Sequence, residues 1–371
     1  MAHKIINNEQ FEFWNKGIGQ KWVDEDQSMN ERLSILTEEL FLKSNIKKDD
    51  KVLDIGCGGG QTSFEASKLV GSNGYVVGAD ISKILLELAE RKYSQIKNLE
   101  FKYCDVQNFE FKKNEFNKII SRFGVGYDNL DLTYLKKKGI NLRITANSNK
   151  ITVAEHVFFM MLFLSKQGLK NDNLARKRIF NEDKIFFGKD LFGSNILIFG
   201  YGRIAKELVK RCIAFGMNVF VYDPYIKIIK TNQNNLQFVK NYKKILYKMD
   251  VISLHVPNTI QTKKFINFNF FEKMKKNSIF INTSRGSVVC EKSLIKVLKN
   301  NKKKIRFGLD VFEKEPPSKK NFILGSNFTI LSPHSSTKTD QCFKKMSFES
   351  ANNVRNFFSK KEIKKNIVKI K

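Results

Sequence analysis

Residues 195–225 read NILIFGYGRIAKELVKRCIAFGMNVFVYDPY. A short apolar run ends at Gly200-Tyr201-Gly202, an amphipathic stretch follows, and a second apolar run, NVFVY, ends at Asp223. Strand, glycine turn, helix and strand together form a nucleotide-binding unit. Glycine permits the tight turn and lets a phosphate approach the backbone amides at the helix start. Ala205 stands at the third glycine position, where a small residue suffices for helix–strand contact. Asp223 lies where an acidic side chain accepts hydrogen bonds from a ribose hydroxyl and repels a 2′-phosphate. The pattern therefore predicts NAD.

Working outward, the downstream chain carries DVISLHVPNT (250–259), MKKNSIFINTSRGSVV (274–289), GLDVFEKEPP (308–317) and LSPHSS (331–336), and the upstream chain carries VAEH (153–156). As an ordered set these phrases resemble the D-isomer-specific 2-hydroxyacid dehydrogenases, in the branch that includes phosphoglycerate dehydrogenase, over residues 122–371. The resemblance implies a catalytic trio of Arg285, Glu315 and His334. It also implies NAD contacts at Gly200, Gly202, Arg203, Ile204, Asp223, Pro257, Thr283 and Asp310, with Asp310 facing the nicotinamide end. The residue types suit the chemistry. Imidazole moves a proton near neutral pH, a neighbouring carboxylate orients it, and the planar guanidinium grips a carboxylate. The substrate implied is a small D-2-hydroxy acid or its 2-keto form. The resemblance further implies a homodimer built through residues 151–168.

The front of the chain reads differently. KVLDIGCGGG (51–60) leads into a helical stretch, TSFEASKLV, and the strand YVVGAD ends at Asp80. A third strand, LEFKYCD, ends at Asp105, and a fourth is FNKIISRF (116–123). With FWNKGIGQKWV near the N-terminus, residues 8–124 resemble the first part of a class I S-adenosylmethionine-dependent methyltransferase. Carried over, Asp54, Gly56 and Gly58 line the methionine end of S-adenosylmethionine, Asp80 its ribose and Asp105 its adenine. The strands and acceptor site that follow in that family are replaced here.

The two patterns meet in KIISRFGVGYDNLDL (118–132). The chain reads as a chimera: a real fusion, or two sequences joined in assembly. The dehydrogenase front strands, with the loop that grips substrate, are missing, since FKYCDVQNFEFKKNEF (101–116) holds no such loop. Cys290 occupies a position usually acidic in the dehydrogenases. The fold expected is α/β, with two doubly wound Rossmann-like parallel sheets. Residues 1–122 form a methyltransferase-like half. Residues 123–168 plus 337–371 are a dehydrogenase substrate-domain remnant packed with it, and 169–336 form the NAD-binding domain. Strands at 51–55, 75–79, 99–103, 117–122 and 141–146 are expected in one sheet, ordered 3-2-1-4-5. The leading function is an NAD-dependent oxidoreductase acting on a CH–OH group. The alternatives are a truncated methyltransferase and an inactive fusion.

Composition sets outer limits. The chain of 371 residues carries a formal charge of +29. The basic residues are mostly lysines scattered in pairs and triples, a bias of the whole chain without the basic stripe and interleaved aromatics of a nucleic-acid site. Five separated cysteines without a CxxC pair predict neither a zinc site nor a disulfide framework, and fit a reduced cytoplasm. No apolar run approaches the roughly 18 residues of a membrane span.

Overall fold

The apolar runs and glycine turns read above become strands and helices in two separate units. The computed structural model describes residues 8–16, 18–44, 46–105, 119–122, 126–127, 130–137, 139–226, 234–358 and 364–368. One unit comprises residues 1–125, 129–146 and 344–371; the other comprises 126–128 and 147–343.

In the first unit, helices α1 (Asn8–Lys16), α2 (Ile18–Asp24) and α3 (Asp26–Ser44) precede β1 (Lys51–Ile55). There follow α4 (Gln61–Val70), β2 (Tyr75–Asp80), α5 (Lys83–Tyr93), β3 (Leu99–Tyr103), β4 (Ile119–Arg122), α6 (Leu132–Lys137) and β5 (Asn141–Ile144). β1, β2 and β3 form a parallel three-stranded sheet, with Lys51 opposite Tyr75 and Asp80 opposite Tyr103. β4 and β5 pair in parallel as a sheet of their own.

The single five-stranded sheet expected from the sequence is therefore not what forms. The 3-2-1 portion is present, but no ladder joins β1 to β4 among the described residues. Burial gives the physical reason. Central β2 is buried along nearly its whole length, whereas β1 is only half-buried in its middle and exposed at both ends, with Ile55 51% exposed. β1 behaves as an open edge. The C-terminal tail completes this unit: Asn353 donates to the Ile144 carbonyl at 3.0 Å, and the Val368 amide to the Leu142 carbonyl at 3.1 Å.

The second unit begins with α7 (Lys150–Ser165) and α8 (Gly168–Arg176). Next come β6 (Asn195–Phe199), α9 (Arg203–Ala214), β7 (Asn218–Tyr222), β8 (Leu236–Phe238) and β9 (Val251–Leu254). α10 (Phe268–Glu272), β10 (Ile279–Asn282), α11 (Glu291–Lys299), β11 (Arg306–Leu309) and β12 (Thr329–Leu331) complete the sheet, and α12 (Asp340–Phe358) leads back to the first unit. The seven strands run in the order β12-β11-β10-β9-β6-β7-β8, every pair parallel. Strand order reverses between β6 and β9, the place where open α/β sheets bind ligands.

Side chains alternate across β6. Leu197 and Phe199 enter an aromatic-rich core with Phe271, Phe280 and Phe307, while Ile196 and Ile198 enter the opposite core with Met160, Met161 and Leu208. α7 was expected with the front remnant, yet it packs on α9, β10 and β11. Its apolar residues explain this: Val157, Met160 and Met161 are fully buried, and a Cβ at Gly308 would lie 3.1 Å from the Met160 sulfur. The helix lies so close to the strand that a side chain at Gly308 would press on Met160.

Candidate active site

The loop after β6 is built around Gly200, whose φ of 87° is open to glycine and strained for other residues. A Cβ there would stand 2.5 Å from the His255 carbonyl oxygen. The Gly200 amide donates to the Tyr222 carbonyl at 2.8 Å. Asp223, just past β7, fastens the loop: it accepts from the Tyr201 amide at 2.9 Å and from the Tyr225 amide at 2.9 Å. A Cβ at Gly202 would meet nothing within 4 Å, so the backbone at the start of α9 is open to a ligand. Arg203 is exposed on the first turn of α9, and Ile204 packs partly into the core.

Pro257 is exposed after β9, and its carbonyl accepts from the Thr262 hydroxyl at 2.5 Å. Thr283, just past β10, buries a hydroxyl oxygen that has no hydrogen-bond partner among the described residues. A buried polar atom without a partner costs stability unless a ligand meets it. Open glycine backbone after β6, a fastened carboxylate after β7 and an unsatisfied hydroxyl after β10 lie at the same end of one parallel sheet and fit a dinucleotide.

Arg285, Glu315 and His334 come together beyond β10, β11 and β12. His334 Nδ1 lies 2.7 Å from Glu315 Oε2. The hydrogen bond to Glu315 raises the His334 imidazole above its ordinary 6.5, against the opposing effect of burial. Burial alone would raise the Glu315 carboxyl, but the bonds from His334 and the Phe312 amide, with the nearby charge of Arg285, hold it below its ordinary 4.5. Glu315 Oε1 accepts that Phe312 amide at 3.0 Å.

Arg285 is set by Asn282 at the end of β10. Asn282 is 1% exposed, donates to the Arg285 carbonyl at 2.9 Å and accepts from the Ser284 amide at 3.0 Å. A Cβ at Gly126 would lie 1.6 Å from Arg285 Nη2. The guanidinium thus occupies space that only glycine leaves free. Sequence reasoning missed Gly126, although the phrase RFGVGYDN carried it.

Asp310, just past β11, is fastened from several sides. It is 0% exposed, and its carboxylate accepts from the Ser332 hydroxyl at 2.6 Å and from the Ser335 and Ser336 amides at 2.8 and 3.2 Å. The side chain holds the turn that carries His334. Ser332, Ser335 and Ser336 were not singled out by the sequence, because serines in a loop carry no distinctive signal. Cys290 directly precedes α11, and a hydrogen bond with Ser293 holds its thiol below the usual range.

In the first unit the glycine loop is intact. Gly56, Gly58 and Gly60 have φ of 76°, 53° and 82°. Asp80 accepts from the Gly58 amide at 2.8 Å and the Ser82 amide at 2.8 Å. Asp54 accepts from the Thr62 and Ser63 hydroxyls at 2.6 and 2.7 Å, and burial raises its carboxyl regardless. Asp105 is buried just beyond β3. Asp54, Asp80 and Asp105 thus share the C-terminal edge of the three-stranded sheet. Among the described residues, no group of three histidine, cysteine or acidic side chains is arranged to hold a metal ion.

Residues 158–336 match the family model "D-isomer specific 2-hydroxyacid dehydrogenase, NAD binding domain". Residues 46–184 match "Methyltransferase domain", extending past the junction expected near residue 124. D-3-phosphoglycerate dehydrogenase of Methanocaldococcus jannaschii is 36% identical over 233 residues, 63% of this chain and 44% of that protein. Glyoxylate reductase of Thermococcus litoralis is 34% identical over 257 residues, 68% of this chain and 76% of that protein. The chain spans less than half the length of the phosphoglycerate dehydrogenases it matches. Among solved structures, D-lactate dehydrogenase from Aquifex aeolicus, complexed with NAD and lactic acid, aligns with a TM-score of 0.65 and 25% identity, covering 85% of this chain and 98% of that one. The glycine loop, the Glu315–His334 pair and these likenesses agree: the chain belongs to the D-isomer-specific 2-hydroxyacid dehydrogenase family and carries that family's NAD-binding domain behind a methyltransferase-like front.

Proposed function

We infer that the protein is an NAD-dependent oxidoreductase acting on the CH–OH group of a small D-2-hydroxy acid, or on the keto group in reverse. The observation that carries this reading is the 2.7 Å bond between His334 Nδ1 and Glu315, with Arg285 charged beside it. Gly200, Gly202, Arg203, Ile204, Asp223, Pro257, Thr283 and Asp310 would hold NAD, which supplies the acceptor or donor of hydride. Arg285 binds the substrate carboxylate and polarises the keto oxygen. His334, with Nδ1 held by Glu315, transfers a proton at Nε2, and Glu315 stabilises the imidazolium. The phosphoglycerate, hydroxypyruvate and glyoxylate enzymes among the relatives suggest the substrate range.

The test is the loss of NADH absorbance with glyoxylate, hydroxypyruvate and 3-phosphohydroxypyruvate. Turnover of at least one of them, abolished in His334→Ala with NADH binding kept, is expected. Tight NADH binding without turnover of any would overturn the oxidoreductase reading.

A second reading, S-adenosylmethionine binding by the first unit, is favoured by the intact 56–60 loop and by Asp54, Asp80 and Asp105 on one sheet edge. A homodimer through residues 151–168 is supported by exposed Ile151 and Phe159, 38% and 51%, on an otherwise buried helix. We place the protein in the cytoplasm on the strength of its five free cysteines. No described helix is long and apolar enough to cross a membrane.

A further inference from the structure

His334 sits in an uncomfortable backbone conformation, with φ of 50°. Non-glycine residues hold that region only where surrounding bonds impose it. Here its amide donates to the Asp310 carbonyl at 2.8 Å and to the Ser332 carbonyl at 3.0 Å. The Asp310 carboxylate gathers the next two amides of the turn, those of Ser335 and Ser336. Asp310 thus grips the turn from both its backbone and its side chain.

A second tier of bonds lies beneath. Ser332 Oγ is 2.6 Å from Asp310 Oδ1, and His156 Nε2 is 2.9 Å from Ser332 Oγ. A serine hydroxyl has one proton. Its short contact with an acceptor-only carboxylate uses that proton, so Ser332 Oγ must accept from His156 Nε2–H. The direction of the chain is then fixed: His156 donates to Ser332, and Ser332 donates to Asp310. His156 Nε2 also stands 3.8 Å from Asp310 Oδ1. His156 comes from α7, whose neighbouring Val157 and Ala154 are fully buried, so its ring has a rigid mount.

We propose that His156 and Ser332 are positioning residues for His334: they lock Asp310, and through it the 332–336 turn, in the geometry that sets the His334 ring on Glu315. The proposal rests on the oxidoreductase reading for its purpose, but its geometry is testable without turnover. The groups that act electrostatically on His334 are Glu315, Asp310 and Arg285, and none of the three is substituted in the variants below. A change in His334 titration then reports position.

The chain has four histidines, so imidazole nuclear magnetic resonance on histidine-labelled protein resolves them. In the wild type, His156 is expected as the neutral Nε2–H tautomer, and His334 to titrate above its ordinary value. In Ser332→Ala and His156→Leu the His334 midpoint falls toward that ordinary value. In His156→Gln, whose amide donates to Ser332, it is restored. If keto-acid turnover is present, kcat falls by about tenfold to a hundredfold in the first two variants, with KM for NADH held. An unchanged His334 midpoint in Ser332→Ala, or His156 found as the Nδ1–H tautomer, overturns the proposal. Should His156→Leu fail to fold, Ser332→Ala and His156→Gln decide it. A wild type with the expected tautomer and midpoint but no turnover would sink the oxidoreductase reading and leave the positioning geometry standing.

Discussion

The two glycine loops are fastened alike, yet they open onto different surroundings. In each, the first glycine donates to the carbonyl just before the aspartate at the end of the neighbouring strand, Gly56 to Ala79 at 2.7 Å and Gly200 to Tyr222 at 2.8 Å. In each, an aspartate beyond that carbonyl ties one loop amide and the amide two residues further on. The same local physics therefore appears in both units: a parallel strand pair, a positive-φ glycine and a carboxylate holding two donors. What differs is the chain that follows. After Asp223 the sheet continues to seven strands, and its ends carry Arg285, Glu315 and His334. After Asp80 the sheet stops at three described strands with β1 as an open edge. A nucleotide loop is a local device, whereas an active site needs the strands that come after it.

The comparison suggests experiments, beginning with the largest expected effect. His334→Ala and Glu315→Gln should each lower turnover by roughly a hundredfold to ten-thousandfold, the usual range for a positioned acid–base group. Steady-state kinetics with NADH and the responsive keto acid would measure it. A loss no greater than severalfold would remove the chemistry from the second unit.

Gly126→Ala should act next most strongly. Its Cβ would displace the Arg285 guanidinium, so KM for the keto acid should rise at least tenfold, a carboxylate–arginine pair being worth more than 1.4 kcal/mol. NADH affinity should not follow. A parallel loss of NADH binding would show that the substitution disturbs the glycine loop as well.

Asp80→Ala and Asp223→Ala cut the two fastenings directly. Asp80 is 9% exposed, so its removal strands two amides at about 1–3 kcal/mol each. Asp223 is more exposed, and water replaces part of its bonding. Denaturant unfolding should therefore show the larger stability loss for Asp80→Ala. Equal losses would contradict the difference in burial.

The smallest effect concerns pH. Glu315 is held below 4.5 in the fold, so its contribution is present above that value and lost as pH falls through its lowered midpoint. His334 is raised above 6.5, so its contribution is complete below 6.5 and lost as pH rises through its raised midpoint. The Glu315→Gln variant should thus differ most from wild type in melting temperature between 4.5 and 6.5, and least at alkaline pH. The pair is half exposed, so the difference should be small. A difference that grows with rising pH would reverse the assignment.

Local patterns were legible in the sequence because they depend on neighbours in the chain. Gly200, Gly202 and Asp223 stand out through spacing, and Glu315 and His334 through the phrases around them. What the sequence concealed depends on distant partners. The fastening of Asp310 depends on serines more than twenty residues away. The placement of His156 beneath the same turn requires α7 to lie on the seven-stranded sheet, which its unbroken apolar run permits but does not specify. The closeness of Gly126 to Arg285 joins residues on either side of the glycine loop. The gap between β1 and β4 was hidden for the opposite reason. Alternating strand and helix predicts a continuous sheet, and whether two edges pair depends on register that local pattern does not encode.

The central claim is that the loop after β6, and not the loop after β1, serves the reaction. Calorimetric titration of NADH into wild type, Asp223→Ala and Asp80→Ala tests it most directly. Saturable binding to wild type and to Asp80→Ala, weakened strongly in Asp223→Ala, is the predicted result. Binding abolished by Asp80→Ala and untouched by Asp223→Ala would contradict it.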